Sequence, residues 1–181
     1  MEIDRDLIES ARAGGANLDR LLTLVWPDAY RVAFGILRDR GLAEDAAQDA
    51  CASIARSLSR LQSANVFRTW IYRIVVNRAI TLGRRRRVTD TLDATDVSAV
   101  ASDPTDRLDL YRALAALPLR QRAAVLLHYY AGLNSSEIAA ACGFPPGTVR
   151  FQLMLARRAL RKALAVQPMP ESYSKEASHG H

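Results

Sequence analysis

Residues 67–87 read FRTWIYRIVVNRAITLGRRRR, an aromatic-rich stretch of helical period that runs into four consecutive arginines, Arg84 to Arg87. Wound as a helix, it collects Phe67, Trp70, Ile71, Ile74, Val75 and Leu82 on one side, a stripe that calls for a core. The other side carries Arg68, Tyr72, Arg73, Val76, Asn77 and Ile80, too apolar and too basic for a face that meets only water. Guanidinium groups attract phosphates and rings stack on unpaired bases at roughly 1–3 kcal/mol per base, so this mixture suits single-stranded nucleic acid. A core helix ending in a solvated basic run explains the same residues, and the segment alone does not choose between the two.

The composition leans towards nucleic acid. The 181 residues carry 25 Lys and Arg against 19 Asp and Glu, a formal net charge of +6, and the pI is near 9.8. An acidic partner is expected, with nucleic acid ahead of a membrane surface. Cys51 and Cys142 stand far apart, with no Cys-x-x-Cys pair and no His cluster, which argues against zinc and against a disulfide framework and fits a reducing cytosol. The opening MEIDRDLIES is acidic, and no apolar run nears the roughly 18 residues that a bilayer span needs. A soluble, cytoplasmic protein with no membrane contact of its own is expected. Glu44, Asp45 and Asp49 lack the histidine, metal-ligand spacing or phosphate-cradling loop of a catalytic set, so no catalytic residue, metal or cofactor is expected. His128, among Leu126, Leu127 and Tyr129, reads as a packed helix residue.

Outward from residues 67–87 the chain reads as helices throughout, with no strand-period segment. Asp4 caps a first helix that Gly14-Gly15 ends, and a second pattern runs from Leu18 to Arg38 with Pro27 set to kink or split it. After Gly41, Leu42 to Leu61 reads as a third helix, and Gln62 to Asn65 as a polar loop. From Val88 to Asp106 there is no Lys or Arg, and aspartates alternate with Thr, Ser and Ala, the composition of a flexible acidic linker. The expected architecture is therefore all-α: two small helical domains, residues 1–87 and 107–166, joined by linker 88–106 and followed by a polar tail, 167–181.

The second domain carries a helix-turn-helix. A helix from Leu119 to Ala131 closes at Gly132, a short helix follows from Ser135 to Ala141, and Thr148 leads into a long last helix. Ala139 is small where two helices must approach, Gly143 takes the turn, and Ile138 and Val149 pack the inside. In that geometry the last helix offers Thr148, Arg150, Phe151, Gln152 and Met154 to base edges, with Arg158 and its basic neighbours towards phosphates. Phe151, Met154 and Leu155 serve equally as packing against a neighbouring helix or partner.

With both halves in view, the chain resembles a bacterial sigma factor of the extracytoplasmic-function (ECF) type. The motifs that carry the resemblance occur in order: Ala43-Glu44-Asp45-Ala46-Ala47-Gln48-Asp49, then Phe67 to Asn77, then Leu114 to Arg122, Leu133 to Glu137 and Gly147-Thr148-Val149-Arg150. The resemblance implies that Asp45, Gln48 and Asp49 bind the β′ clamp of core RNA polymerase. It implies that Asn65, Arg68, Trp70, Tyr72, Arg73, Asn77 and Arg84 to Arg87 recognise and melt the −10 element, with residues 62–66 holding a flipped base. It further implies that Thr148, Arg150, Phe151, Gln152, Met154 and Arg158 read the −35 element, that the second domain meets the β flap, and that an anti-sigma factor restrains the protein.

Overall fold

The computed structural model describes residues 3–90 and 112–165, and these are helical with short connections. The N-terminal half contains α1 (Arg5–Ala11), α2 (Gly15–Leu37), α3 (Arg40–Ser57) and α4 (Phe67–Asp90), with single 3-10 turns at Leu58–Arg60 and Ala64–Val66 between the last two. The C-terminal half contains a helical turn at 112–116, then α5 (Leu119–Tyr129), α6 (Ser135–Cys142) and α7 (Pro146–Ala165). The acidic segment from residue 91 to 106 and the tail from 167 lie outside the described residues, whereas residues 88–90, expected to begin the linker, continue α4.

Local chemistry sets the boundaries. The Asp4 side chain accepts from the Asp6 amide at the start of α1, and the Asp39 side chain accepts from the Leu42 amide at the start of α3. Gly14 and Gly15 both take positive φ, so the chain reverses there at little steric cost and α2 begins three residues before the expected Leu18. The expected split at Pro27 does not occur: α2 is continuous through it. Pro27 is exposed, so the carbonyl deprived of its donor faces solvent rather than core, where the loss is cheap.

Helix α3 packs through alanine. Ala43, Ala46, Ala47 and Ala50 are completely buried, with Ile54 as the one large side chain on that face, so α3 lies close against α2 and α4. Opposite this face, Asp45, Gln48 and Asp49 are all exposed.

Two expectations are corrected here. The buried side of α4 was expected to be Phe67, Trp70, Ile71, Ile74, Val75 and Leu82; it instead runs through Phe67, Ile71, Tyr72, Val75, Val76, Ala79 and Ile80, and Trp70, Ile74 and Leu82 are only partly buried. The face is turned because α4 is packed from several sides, by α2 and α3 and also by α5 and α6 of the other half. The chain is all-α with two helical domains, as expected, but one core for each domain, the expectation for a chain of this length, is not what the packing shows. The buried residues of both halves form one continuous apolar cluster, because two helical glycines admit side chains from α5: Leu126 sits against Gly35, and Leu119 against Gly83.

The alanine seam generates a prediction. Ala47→Leu forces α2 and α3 apart and costs about 1–3 kcal/mol of unfolding free energy, read from urea melts followed by circular dichroism. The exposed control Ala52→Leu on the same helix leaves the midpoint within about 0.5 kcal/mol of the parent.

Candidate nucleic acid interface

Beside α3, what α4 leaves exposed or half-buried is a narrow strip that begins at half-buried Trp70. Trp70, Arg73, Asn77, Thr81 and Arg84 follow one another at three- and four-residue intervals, so they stack along one side of the helix. The C-terminal end of α3 and its 3-10 turn supply the second wall: Ser53, Ser57 and Arg60 join Trp70, Arg73, Asn77, Arg78 and Thr81 around a cleft of about 470 Å³. Arg78 donates to Ser53 Oγ at 3.1 Å across it, which fixes the two helices in register.

A second cavity, of about 580 Å³, adjoins the first and shares Arg60, Trp70 and Arg73 with it. Its floor is the loop between α3 and α4, with Gln62, Asn65 and Val66, and its far rim is α6, with Ser136, Glu137 and Ala140. The Ser63 hydroxyl accepts from the Asn65 amide at 3.2 Å and holds that loop in its turn. The arrangement is an aromatic ring beside guanidinium groups and amide side chains in a recess, which can hold an unstacked base while its backbone phosphates lie on arginine.

The residues singled out from the sequence separate into groups. Asn65, Trp70, Arg73 and Asn77 come together around the two cavities. Arg84 and Arg85 are exposed further along α4, and Arg86 is engaged by the Asp39 carboxylate. The Leu42 amide, and after it the Arg86 guanidinium, outweigh partial desolvation and hold the Asp39 carboxyl below its ordinary range. The Arg87 side chain lies outside the described residues. Arg68 donates to the Ala131 carbonyl of the other half. Tyr72, expected on an outer face, is corrected: it is 1% exposed, because its hydroxyl turns inward to donate to Asp28 Oδ2 at 2.5 Å. Sequence reading missed Arg60, Arg78, Ser53 and Ser57, which join the strip only once α3 is laid beside α4.

The helix-turn-helix has the expected construction. Asn134 caps α6, accepting from the Ser136 and Glu137 amides while Glu137 Oε2 accepts from the Asn134 amide at 2.8 Å, a reciprocal capping box. Gly143 takes the left-handed conformation at φ 68°, and Ile138, Ala139 and Val149 are buried. On α7, Phe151 and Met154 are more than half exposed, in line with exposed Arg158 and flanked by exposed Arg150, while Thr148 and Gln152 are half-buried. Arg157 is turned back on α5, where its Nε donates to Tyr129 Oη at 2.8 Å and its guanidinium covers the Tyr129 ring. His128 lies at 3.0 Å from the Leu133 carbonyl through Nδ1, a packing role as expected.

Residues 21–89 match Sigma-70 region 2 and residues 107–160 match Sigma-70, region 4. The chain is a member of the sigma-70 family, of the ECF type. It is 30% identical to the RNA polymerase sigma-H factor of Pseudomonas aeruginosa, over 93% of this chain and 96% of that protein. It is also 30% identical to the ECF RNA polymerase sigma-E factor of Escherichia coli K12, over 92% and 95% of the two chains. Among solved structures, the sigma factor RpoE of Bartonella quintana, in complex with the anti-sigma factor NepR, superposes with a TM-score of 0.71 at 26% identity, covering 85% of this chain and 100% of that one. CnrH, in complex with the cytosolic domain of CnrY, shares the fold with a TM-score of 0.70 at 21% identity. Promoter recognition as a subunit of RNA polymerase is accordingly the function of this ECF sigma factor.

The buried phenol of this sigma factor generates a pH prediction. Burial first, then the hydrogen bond to Asp28, raises the Tyr72 pKa well above the usual value of about 10. A group that must stay protonated in the fold contributes its stability below its unfolded pKa and loses it as pH rises through the folded value. In an absorbance titration near 295 nm, Tyr72 ionises only together with alkaline unfolding, and Tyr72→Phe removes one phenol from that late phase. A Tyr72 phenolate forming near pH 10 in a chain that is still helical rules the assignment out.

Proposed function

We propose that the strip on α4 engages the −10 element as an unpaired strand, that α7 reads the −35 element, and that the exposed face of α3 docks on the polymerase clamp. The observation that carries this reading is the convergence of Trp70, Arg73, Asn77 and Asn65, with Arg60 of the neighbouring turn, around two adjoining recesses. Trp70 stacks on an unpaired base, Asn65 and Asn77 hydrogen-bond its edge, and the guanidinium groups of Arg60, Arg73 and Arg84 take the phosphates. On α7, Arg150 has a forked donor for guanine, and Phe151 and Met154 offer apolar surface to thymine methyls. Asp45, Gln48 and Asp49 form one exposed polar face opposite the alanine seam, which suits a clamp surface of complementary charge.

On this reading the protein is a non-catalytic specificity subunit that works in the cytoplasm with core polymerase. An anti-sigma factor restrains it, a partner suggested by the NepR complex of the Bartonella quintana relative.

Transcription from a matched promoter, using purified core polymerase with and without this protein, is the deciding experiment. Trp70→Ala and Asn77→Ala each lower open-complex formation roughly five- to hundredfold, the equivalent of about 1–3 kcal/mol per lost base contact. Arg158→Ala leaves melting intact and reduces the slope of log affinity against log salt by about 1. A protein that yields no transcript and binds duplex DNA tightly by itself is a repressor, and the proposal then fails.

A further inference from the structure

Two lines of residues run along α4, and they end differently. The strip, from Trp70 through Arg73, Asn77 and Thr81 to Arg84, stays at the surface. The opposite line, Tyr72, Val76, Ala79, Gly83 and Arg86, is buried as far as Gly83 and half-buried at Arg86. The spacing that brings Arg84 onto the strip therefore sends Arg86 about 200° around the helix, to the far side. The consecutive arginines cannot all face one strand.

The buried line ends on the corner between α2 and α3. Leu37, the last residue of α2, packs where Gly83 has no side chain; a Cβ there would stand 3.0 Å from Leu37 Cδ2. Arg38 then takes the left-handed conformation at φ 60°, its amide donating to the Phe34 carbonyl at 2.8 Å and its guanidinium lying over the Phe34 ring. Asp39 follows and is bonded in two directions. Its Oδ1 accepts from the Leu42 amide at 2.9 Å and starts α3, while its Oδ2 accepts from the Arg86 guanidinium. The carboxyl is held below its ordinary range, first by the Leu42 amide, so it stays ionised and both bonds are charge-assisted. One side chain thus joins the first turn of α3 to the last turns of α4.

We infer that Asp39 is a positioning residue for promoter opening: by holding Arg86 it fixes the end of α4, so that Arg84 stays in file with Trp70, Arg73 and Asn77, while Arg86 itself takes no phosphate. The inference rests on the promoter-recognition reading for the strand, and on the corner alone for the pairing. What the pair supplies is preorganisation. With it in place Arg84 needs no ordering when the strand arrives; without it the same contacts form from a looser helix end, at lower affinity.

This mechanism predicts a sign opposite to that of charge counting. Asp39→Asn deletes a negative charge beside the arginine run, which by charge alone tightens DNA binding. Asparagine caps a helix as well as aspartate does, so the start of α3 is kept and only the pair with Arg86 is weakened.

The test uses the full chain, with circular dichroism to match the folded fractions. Opening of a matched promoter by core polymerase, and binding of the free chain to a single-stranded oligothymidylate, are both titrated with salt. Asp39→Asn and Arg86→Gln each lower opening and oligonucleotide affinity roughly two- to fivefold, the range that a partly exposed ion pair transmits. The double variant is no weaker than the weaker single, because both changes break one interaction, and Arg86→Lys, which keeps the charge, stays near the parent. The slope of log affinity against log salt is unchanged in all of these, whereas Arg84→Gln lowers it by about 0.7, one phosphate contact on a single strand.

A slope lowered by about 0.7 in Arg86→Gln makes Arg86 a phosphate ligand and overturns the inference. So does an Asp39→Asn chain that opens the promoter and binds the oligonucleotide as well as the parent, or better. No opening by the parent, with the same pattern kept on the oligonucleotide, sinks the promoter reading and leaves the role of Asp39 standing; equal opening by the parent and Asp39→Asn does the reverse.

Discussion

Burial of α4 on several sides at once is the constraint from which the rest of the structure follows. A helix gripped only along one stripe presents a broad polar face, and its basic residues spread around it. Here α2, α3 and the C-terminal half together bury Phe67, Ile71, Tyr72, Val75, Val76, Ala79 and Ile80, and what remains is a strip one or two side chains wide. That narrowness puts Trp70, Arg73, Asn77 and Arg84 in file, an aromatic ring followed by amide and guanidinium groups along one line, which is the feature that the proposed contact with an unpaired strand uses. The alanine face of α3 serves the same end, since it brings Arg60, Ser53 and Ser57 close enough to wall the strip on one side.

Much of this was legible in the sequence where local chemistry governs. The all-helical class, the Gly14-Gly15 reversal and the helix-turn-helix around Gly143 follow from periodicity, capping and the conformational freedom of glycine, whereas Asp45, Gln48 and Asp49, all exposed, were singled out through the family resemblance. The ordered run of motifs carried the family reading, and the matches to both sigma-70 regions agree with it.

What was not legible depends on which helix lies against which. Val76 and Ile80 are apolar residues on what looked like an outer face, and periodicity cannot say that a second half of the chain will cover them. Gly35 and Gly83 carry no side chain to announce a contact, yet they are the sites where Leu126 and Leu119 enter. Asp28 carries no local signal of burial; its partners are two tyrosines 44 and 102 residues away. At Pro27 the split, one of the two outcomes expected there, does not occur, because the exposed position makes the lost hydrogen bond cheap.

The seam between the two halves divides its work between two kinds of contact. Asp28 accepts from Tyr72 and from Tyr130, and the Ala131 and Ile36 carbonyls accept from Arg68 and Arg122, so these polar groups are paired where the two halves meet. The apolar part behaves differently. Leu126 and Leu119 enter glycine-floored sites and take apolar surface out of water, with a gain that grows with the area buried. Hydrogen bonds are directional and hydrophobic burial is not, so the polar contacts fix how the halves are set against one another and the leucines supply most of the adhesion.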